Sequence, residues 1–343
     1  MCCASSNDRN EDWCFLVAKI LVTGGAGFIG SHLTETLLER GDDVVVVDDE
    51  STGSAANLAA VRNHARLTYI RDTIANEKLV REVIAEIDEV YHLAAAVGVA
   101  LIARQPIQTI ERNIYPTQLI LGALCQRAQQ GDTVKMFLAS SSEVYGKNPK
   151  PVWNEEDDLV WGTTTRARWS YGASKAIDEF LALAYWRQFH LPIVIGRFFN
   201  VVGPRQSGAY GMVLPRFVDA AVSAQPLVVH DDGRQVRCFA HVQDVVSAVL
   251  ALMQQPTACG RVFNIGSDQP ISILDLAHKV IEVSQSTSVV EFQSYAAAYD
   301  EDFEDIRRRV PDLSRLRNTI AFRPKYDLDA VIRQLVADAT DRE

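Results

Sequence analysis

Cysteine is scarce and scattered in this chain. Cys2, Cys3, Cys14, Cys125, Cys238 and Cys259 are all there are in 343 residues, and no pair has the CxxC spacing. That argues against a zinc ribbon or a dithiol redox motif. In a chain of this length it leaves reduced thiols in a cytoplasmic protein as the expectation. Long apolar runs are missing as well. Phe15-Leu16-Val17-Ala18 is broken by Lys19, too short for a signal-peptide core, and nothing approaches the ~20 apolar residues of a membrane span. Basic charge is in deficit, with 34 Lys and Arg against 44 Asp and Glu and a formal net charge of -10. Such a surface is a poor partner for nucleic acid. His32, His64, His190 and His278 show no ligand spacing, so no metal site is expected. Internal repeats and low-complexity linkers are absent too.

What is present reads as an ordinary globule with enough apolar residues for a large core. Residues 1–14 are polar and read as a flexible N-terminal extension. From Lys19 strands and helices alternate with short links. The pattern predicts strands at 19–22, 43–48, 66–70, 89–93, 134–140 and 192–199. It predicts helices at 31–40, 77–87, 107–129 and 174–189. Asp43-Val-Val-Val-Val-Asp48 is apolar between its ends, as in a strand covered on both faces. The fold class is therefore α/β, a Rossmann-type doubly wound parallel sheet. After Asn200 glycine and proline multiply and the elements shorten. A helix at 241–254 and a strand at 261–265 rejoin the sheet. The expected division is a nucleotide-binding domain at 15–200, rejoined by about 240–266, and a smaller discontinuous substrate lobe from 201–239 and 267–343.

Gly24-x-x-Gly27-Phe28-Ile29-Gly30 follows the first strand and opens the first helix. Glycines there allow a tight turn, close approach of backbone to a pyrophosphate, and contact of helix on strand. A glycine triplet alone is weak evidence. Here Asp48 ends the next strand, ~20 residues on, where an acid accepts hydrogen bonds from an adenosine ribose. Asp49 and Glu50 follow and no arginine does. A 2′-phosphate would be repelled, so NAD is expected over NADP.

Tyr171 and Lys175 are spaced i, i+4 and share a helix face. A free phenol titrates near ~10. A nearby ammonium and a cationic nicotinamide ring favour the phenolate, which could take a proton from a sugar hydroxyl as hydride leaves the carbon. The same spacing also occurs by accident on surfaces. Ser140-Ser141-Ser142-Glu143 ends the strand at 134–140, where ligands of such sheets bind. It reads equally as a substrate-facing cluster or as a serine-rich turn.

Together these segments resemble the extended short-chain dehydrogenase/reductase family, in its nucleotide-sugar epimerase and decarboxylase branch, over about residues 17 to 335. The resemblance is carried by Tyr91-His-Leu-Ala-Ala95, Ser141-Ser-Glu-Val-Tyr-Gly146, Tyr171-Gly-Ala-Ser-Lys175, Arg197-Phe-Phe-Asn200, Gly203-Pro-Arg205, Arg237-Cys-Phe239 and Phe263-Asn-Ile-Gly266. It implies a bound NAD reduced and reoxidised within a turnover, a UDP-sugar in the C-terminal lobe, and a homodimer formed through two long helices. Catalytic roles fall to Tyr171, Lys175, Ser141, Ser142 and Glu143. Cofactor contacts extend from the glycine turn and Asp48-Asp49 to Ser51, Thr52, Gly53, Asp72, Thr73, Leu93, Ala94 and Ala95, with Tyr171 and Lys175 beside the nicotinamide.

The resemblance also narrows the substrate. Hexose 4,6-dehydratases carry Asp-Glu where this chain has Ser142-Glu143, which argues against dehydration. Ser-Glu is similar to UDP-glucuronate decarboxylases and to a subgroup of UDP-glucuronate 4-epimerases. Arg309, within Asp302-Phe-Glu-Asp-Ile-Arg-Arg-Arg309-Val-Pro311, matches a decarboxylase arginine. Read without the family, that run is a solvated charge cluster. Arg205 matches a position near a uronate carboxylate, and Asn200 and Arg237 match contacts to the diphosphate. Arg168-Trp-Ser-Tyr171 and Gly208-Ala-Tyr-Gly-Met-Val-Leu-Pro215 resemble the epimerase subgroup. The sequence thus places UDP-glucuronate 4-epimerisation first and decarboxylation second. Neutral UDP-glucose or UDP-N-acetylglucosamine epimerisation and a non-catalytic NAD-binding scaffold come after them.

Overall fold

Lys19–Thr23 forms the first strand of the computed structural model, which describes residues 17–96, 105–208, 212–295 and 304–341. The predicted extension at 1–14 lies outside the described residues. The first half runs β1 (Lys19–Thr23), α1 (Phe28–Arg40), β2 (Asp43–Asp48), β3 (Leu67–Arg71), α2 (Glu77–Ile84), β4 (Glu89–His92), α3 (Pro106–Gln129), β5 (Lys135–Ser141), α4 (Ser170–Phe189) and β6 (Ile193–Phe198). The second half runs β7 (Val201–Val202), α5 (Val213–Val222), β8 (Leu227–His230), β9 (Val236–Cys238), β10 (Ala240–His241), α6 (Val242–Met253), β11 (Arg261–Ile265), β12 (Pro270–Ser272), α7 (Ile273–Ser284), β13 (Val290–Gln293), α8 (Ser314–Ile320) and α9 (Leu328–Thr340).

Seven parallel strands form the central sheet in the order β11-β6-β5-β4-β1-β2-β3. The order reverses between β1 and β4, which opens a crevice beyond their carboxyl ends. Register aligns those ends, with Thr23 of β1 opposite both Val47 of β2 and His92 of β4. One face of the sheet is covered by α1 and α6, through Leu33, Leu37, Val245 and Val249. The other is covered by α2, α3 and α4, through Val80, Leu121, Leu124 and Ala182. Burial on both faces explains why the strands read as continuous apolar runs.

A separate apolar cluster holds α5, β8, α7 and α9 together through Leu214, Phe217, Leu276, Val280, Ile332 and Leu335. Proline and glycine signals from 203 to 233 predicted loops and short elements where α5 and β8 form. Pro215, however, sits in the first turn of α5, where its missing N–H has no helical partner to lose. Among the described residues no helix is long and apolar enough to cross a membrane.

One boundary differs in a way that matters. Helix α4 starts at Ser170, not at the predicted Ser174, so Tyr171 lies on the helix with Lys175. The glycine at 172 delays a propensity-based start. In the fold that glycine is the point of contact: a Cβ on it would come 2.5 Å from the Glu143 carbonyl oxygen. Its bareness lets the start of α4 seat on the turn that follows β5.

Candidate active site

A single long cleft of about 750 Å³ runs from the glycine turn to the lobe, within the size range of small-molecule and cofactor sites. Every residue predicted from sequence for cofactor, substrate or catalysis lines it, apart from Lys175.

At the sheet end, the turn between β1 and α1 is closed mainly by backbone. Gly24 N–H donates to Val47 O (2.9 Å), and Gly27 N–H donates to Gly24 O (3.1 Å). Gly24 has φ +72°, and a Cβ there would sit 2.8 Å from the Ala94 nitrogen. A Cβ on Gly30 would lie 2.1 Å from the Gly24 oxygen. No side chain caps α1, and its first turn holds no acid. Its leading N–H groups and positive dipole end are thus left for an anion. Asp48 Oδ2 accepts from Ala26 N–H (2.9 Å) and Oδ1 from Glu50 N–H (2.7 Å). Burial raises its pKa, against those two bonds. Asp72 braces its own loop by accepting from Thr73 N–H (2.7 Å) and Asn76 Nδ2 (3.0 Å). Leu93 and Ala94 donate their N–H groups to Thr23 O and Oγ1 (both 3.2 Å). This turn fits a dinucleotide pyrophosphate and an unphosphorylated ribose.

In the middle, β5 ends at Ser141, whose Oγ accepts from Glu143 N–H (3.2 Å) and starts the Ser142–Tyr145 turn. Ser142 is buried at its side. Tyr171 is buried against Ser141, and desolvation raises its phenol pKa, opposed by a hydrogen bond with Ser141. Lys175 does not face the phenol freely: it is buried behind the cleft wall and donates to Asp178 Oδ2 at 2.8 Å. The support behind it continues through His92, which bonds Thr23 Oγ1 (2.7 Å) and Thr117 Oγ1 (3.1 Å). Sequence reasoning did not single out Asp178, Thr117 or His92 for this role. Asp178 does share a helix turn with Lys175, which was a usable signal.

At the lobe end, charges converge from distant segments. Glu143 Oε1 lies 2.5 Å from Arg309 Nη2, and Oε2 lies 2.7 Å from Arg168 Nη1. Burial would raise the Glu143 pKa, but Arg309 and Arg168 outweigh it and bring it down to about 2. Arg237 donates through Nη2 to both Asp305 oxygens (3.0 and 3.1 Å), and Asp305 also accepts from Tyr295 OH (2.7 Å). Burial lowers Arg237 to about 10. Asn200 Nδ2 donates to Cys238 O (3.0 Å). In the run holding Arg309, Arg307 and Arg308 stay exposed, but Arg309 itself is buried. Val236 N–H donates to Arg307 O (2.9 Å) and Arg309 N–H to Val236 O (3.1 Å), which lays the run along β9. Trp153 N–H donating to Val310 O (2.8 Å) fixes its other side. Arg205 stands apart from this cluster. Its guanidinium meets Glu35 of α1 (2.8 Å) and Ser31 Oγ (3.2 Å).

A Rossmann sheet, a dinucleotide turn and a Tyr-Lys helix at the switch point define a short-chain dehydrogenase/reductase-type enzyme. Residues 21–335 match the family model described as GDP-mannose 4,6 dehydratase, and the chain belongs to that family. It is 37% identical to a UDP-N-acetyl-alpha-D-glucosaminuronate decarboxylase of Bacillus cytotoxicus, covering 93% of this chain and 96% of the relative. It is 33% identical to UDP-glucuronic acid decarboxylase 1 of Arabidopsis thaliana, covering 94% and 70%. Among solved structures, a UDP-glucuronic acid 4-epimerase from Bacillus cereus, in complex with UDP-glucuronic acid and NAD, aligns with TM-score 0.84 and 28% identity over 95% of this chain and all of that one. The chain is thus a member of the nucleotide-sugar epimerase and decarboxylase group of enzymes.

Proposed function

We propose that the protein is an NAD-dependent UDP-hexuronate decarboxylase, reversing the order in which the sequence placed its two uronate readings. One observation carries this: Arg309, the residue that resembles the decarboxylase arginine, is buried in the wall of the cleft and paired there with Glu143. Arg237 and Arg309 supply the local positive charge that draws an anionic substrate into an acidic protein. The decarboxylase relatives, matched over nearly the whole chain, point the same way.

The glycine turn, Asp48 and the uncapped α1 would hold NAD, which when bound accepts and returns one hydride. Tyr171 takes the C4 hydroxyl proton, with Ser141 holding the phenol and Lys175, anchored by Asp178, behind it. The resulting 4-keto uronate is a β-keto acid. Its C5–C6 bond breaks, carbon dioxide leaves, and the bonding pair moves onto the C4 oxygen. A proton is taken up at C5 from water reaching the cleft, and Tyr171 returns its proton to the C4 oxygen. The sum is UDP-hexuronate plus a proton giving UDP-pentose plus carbon dioxide, with no net oxidation.

Exposed Ile107, Ile110, Ile177 and Phe180 on α3 and α4 support the homodimer reading. The second functional reading, 4-epimerisation, is favoured by the epimerase structure. Proton NMR of UDP-glucuronate and UDP-N-acetylglucosaminuronate incubated with the protein and NAD separates them. Pentose anomeric signals and released carbon dioxide are expected. A galacto-configured uronate with its carboxylate intact would overturn decarboxylation.

A further inference from the structure

Glu143 has two arginine partners, and they stand on different sides of it. Arg309 lines the cleft. Arg168 does not line it. It is buried on the short turn Ala167–Trp169 that leads into α4, with its guanidinium over the Trp169 ring. Trp169 in turn fills the space above Gly162, where a Cβ would meet the ring at 2.2 Å. Arg168 therefore grips Glu143 from the protein side and is itself held by packing. The Nε atoms of both arginines are buried without a hydrogen-bond partner. On the protein side Arg168 keeps its charge beside Glu143 whatever the cleft contains.

We propose that Arg168 is a positioning residue: it fixes the Glu143 carboxylate against the cleft wall, so that Arg309 can turn part of its guanidinium to the substrate without releasing Glu143. The proposal rests on the decarboxylase reading for its effect on turnover, but not for its effect on Glu143 itself. The charged and titratable groups around Glu143 are Arg168 from the turn before α4, Tyr171 from α4, Arg237 from β9, and Asp305 and Arg309 from the segment along β9. Removing Arg168 takes away one of the two closest positive charges, and the carboxylate then follows Arg309 alone.

The test compares wild type, Arg168→Met and Arg168→Lys as holoenzymes with UDP-glucuronate. In Arg168→Met, kcat for carbon dioxide release is expected to fall about tenfold or more with KM changed less than about threefold. Reduced-nicotinamide absorbance still appears in a single turnover, because oxidation at C4 uses Tyr171. The acid limb of kcat moves to higher pH, and Arg168→Lys recovers part of both changes. A merely structural role would lower the melting midpoint and leave the acid limb where it was, which would overturn the proposal. So would an unchanged kcat. Carboxyl-carbon NMR of Glu143 reads the same point without turnover. Its titration should move upward in Arg168→Met, and in Arg168→Lys if methionine does not fold. A wild type that releases no carbon dioxide sinks the decarboxylase reading. An unmoved Glu143 titration sinks the role of Arg168.

Discussion

The two ends of the cleft are made by opposite means. The sheet end is backbone. Its turn is closed mainly by N–H and carbonyl groups of Gly24–Ser31 and of Val47, and its glycines leave no room for side chains. The lobe end is side chain. Glu143, Arg168, Arg237, Asp305 and Arg309 come from four separate stretches and meet as ion pairs. A backbone-lined site suits a ligand that is the same in every turnover. A side-chain cluster is changed by single substitutions, and it is where related enzymes on one fold diverge in substrate.

The largest expected effect falls at the junction of the two ends. Tyr171→Phe removes the only phenol placed against Ser141 among the described residues and should lower kcat by about 10²–10⁴, with the melting midpoint nearly unchanged. A variant as fast as wild type would sink the proton-transfer role. Next is Gly30→Ala at the sheet end. The added Cβ would lie 2.1 Å from the Gly24 oxygen, so the turn must open. Calorimetry should show NAD affinity reduced by more than about tenfold. Equal loss of NAD affinity on neutralising Arg309 would erase the distinction between the ends.

That distinction also explains what was legible in the sequence. The sheet end lies within one βαβ unit, so Gly24, Gly27, Gly30 and Asp48 announce it by spacing alone. The lobe end depends on chain segments far apart in sequence. Glu143 read equally as a substrate-facing group or part of a turn, and Arg309 stood out only through family resemblance, since a run such as Arg307-Arg308-Arg309 otherwise looks solvated. Backbone pairing of that run with β9 leaves Arg307 and Arg308 exposed and buries Arg309, and no local pattern encodes this. Arg168 and Asp305 were not singled out as site residues for the same reason. Asp178 was legible in principle, three residues from Lys175, but its carboxylate reads as exposed until α3 is known to cover it. The start of α4 was misplaced because Gly172 is a poor helix former. Its value lies in contact with Glu143, a tertiary fact.

The ends should also fail at different acidities, and this is the smallest of the effects. His92 is buried at the sheet end between Thr23 and Thr117, near Lys175. Burial, then the Lys175 charge, lowers its pKa from 6.5 to about 3. In the unfolded chain it takes a proton below about 6.5, whereas in the folded one it stays neutral. Its contribution is therefore fully present above pH 6.5 and is lost as pH falls from there toward 3, at up to ~1.4 kcal/mol per pH unit. Glu143 at the lobe end is lowered to about 2. Its contribution is present above the ordinary carboxylate range, near ~4.3, and is lost only below it. Between pH 6.5 and that range, acid should weaken the packing around His92 while leaving the Glu143 ion pairs intact. Denaturant titrations across the window should show a shallower acid slope in His92→Asn than in wild type. His32, His230 and His241 are also held low by burial, so the variant loses the share of His92 and not the whole slope. Glu143→Gln should leave the slope in this window unchanged and flatten it only at lower pH. If Glu143→Gln flattens the upper window and His92→Asn does not, the acid-sensitive part of the cleft is the lobe.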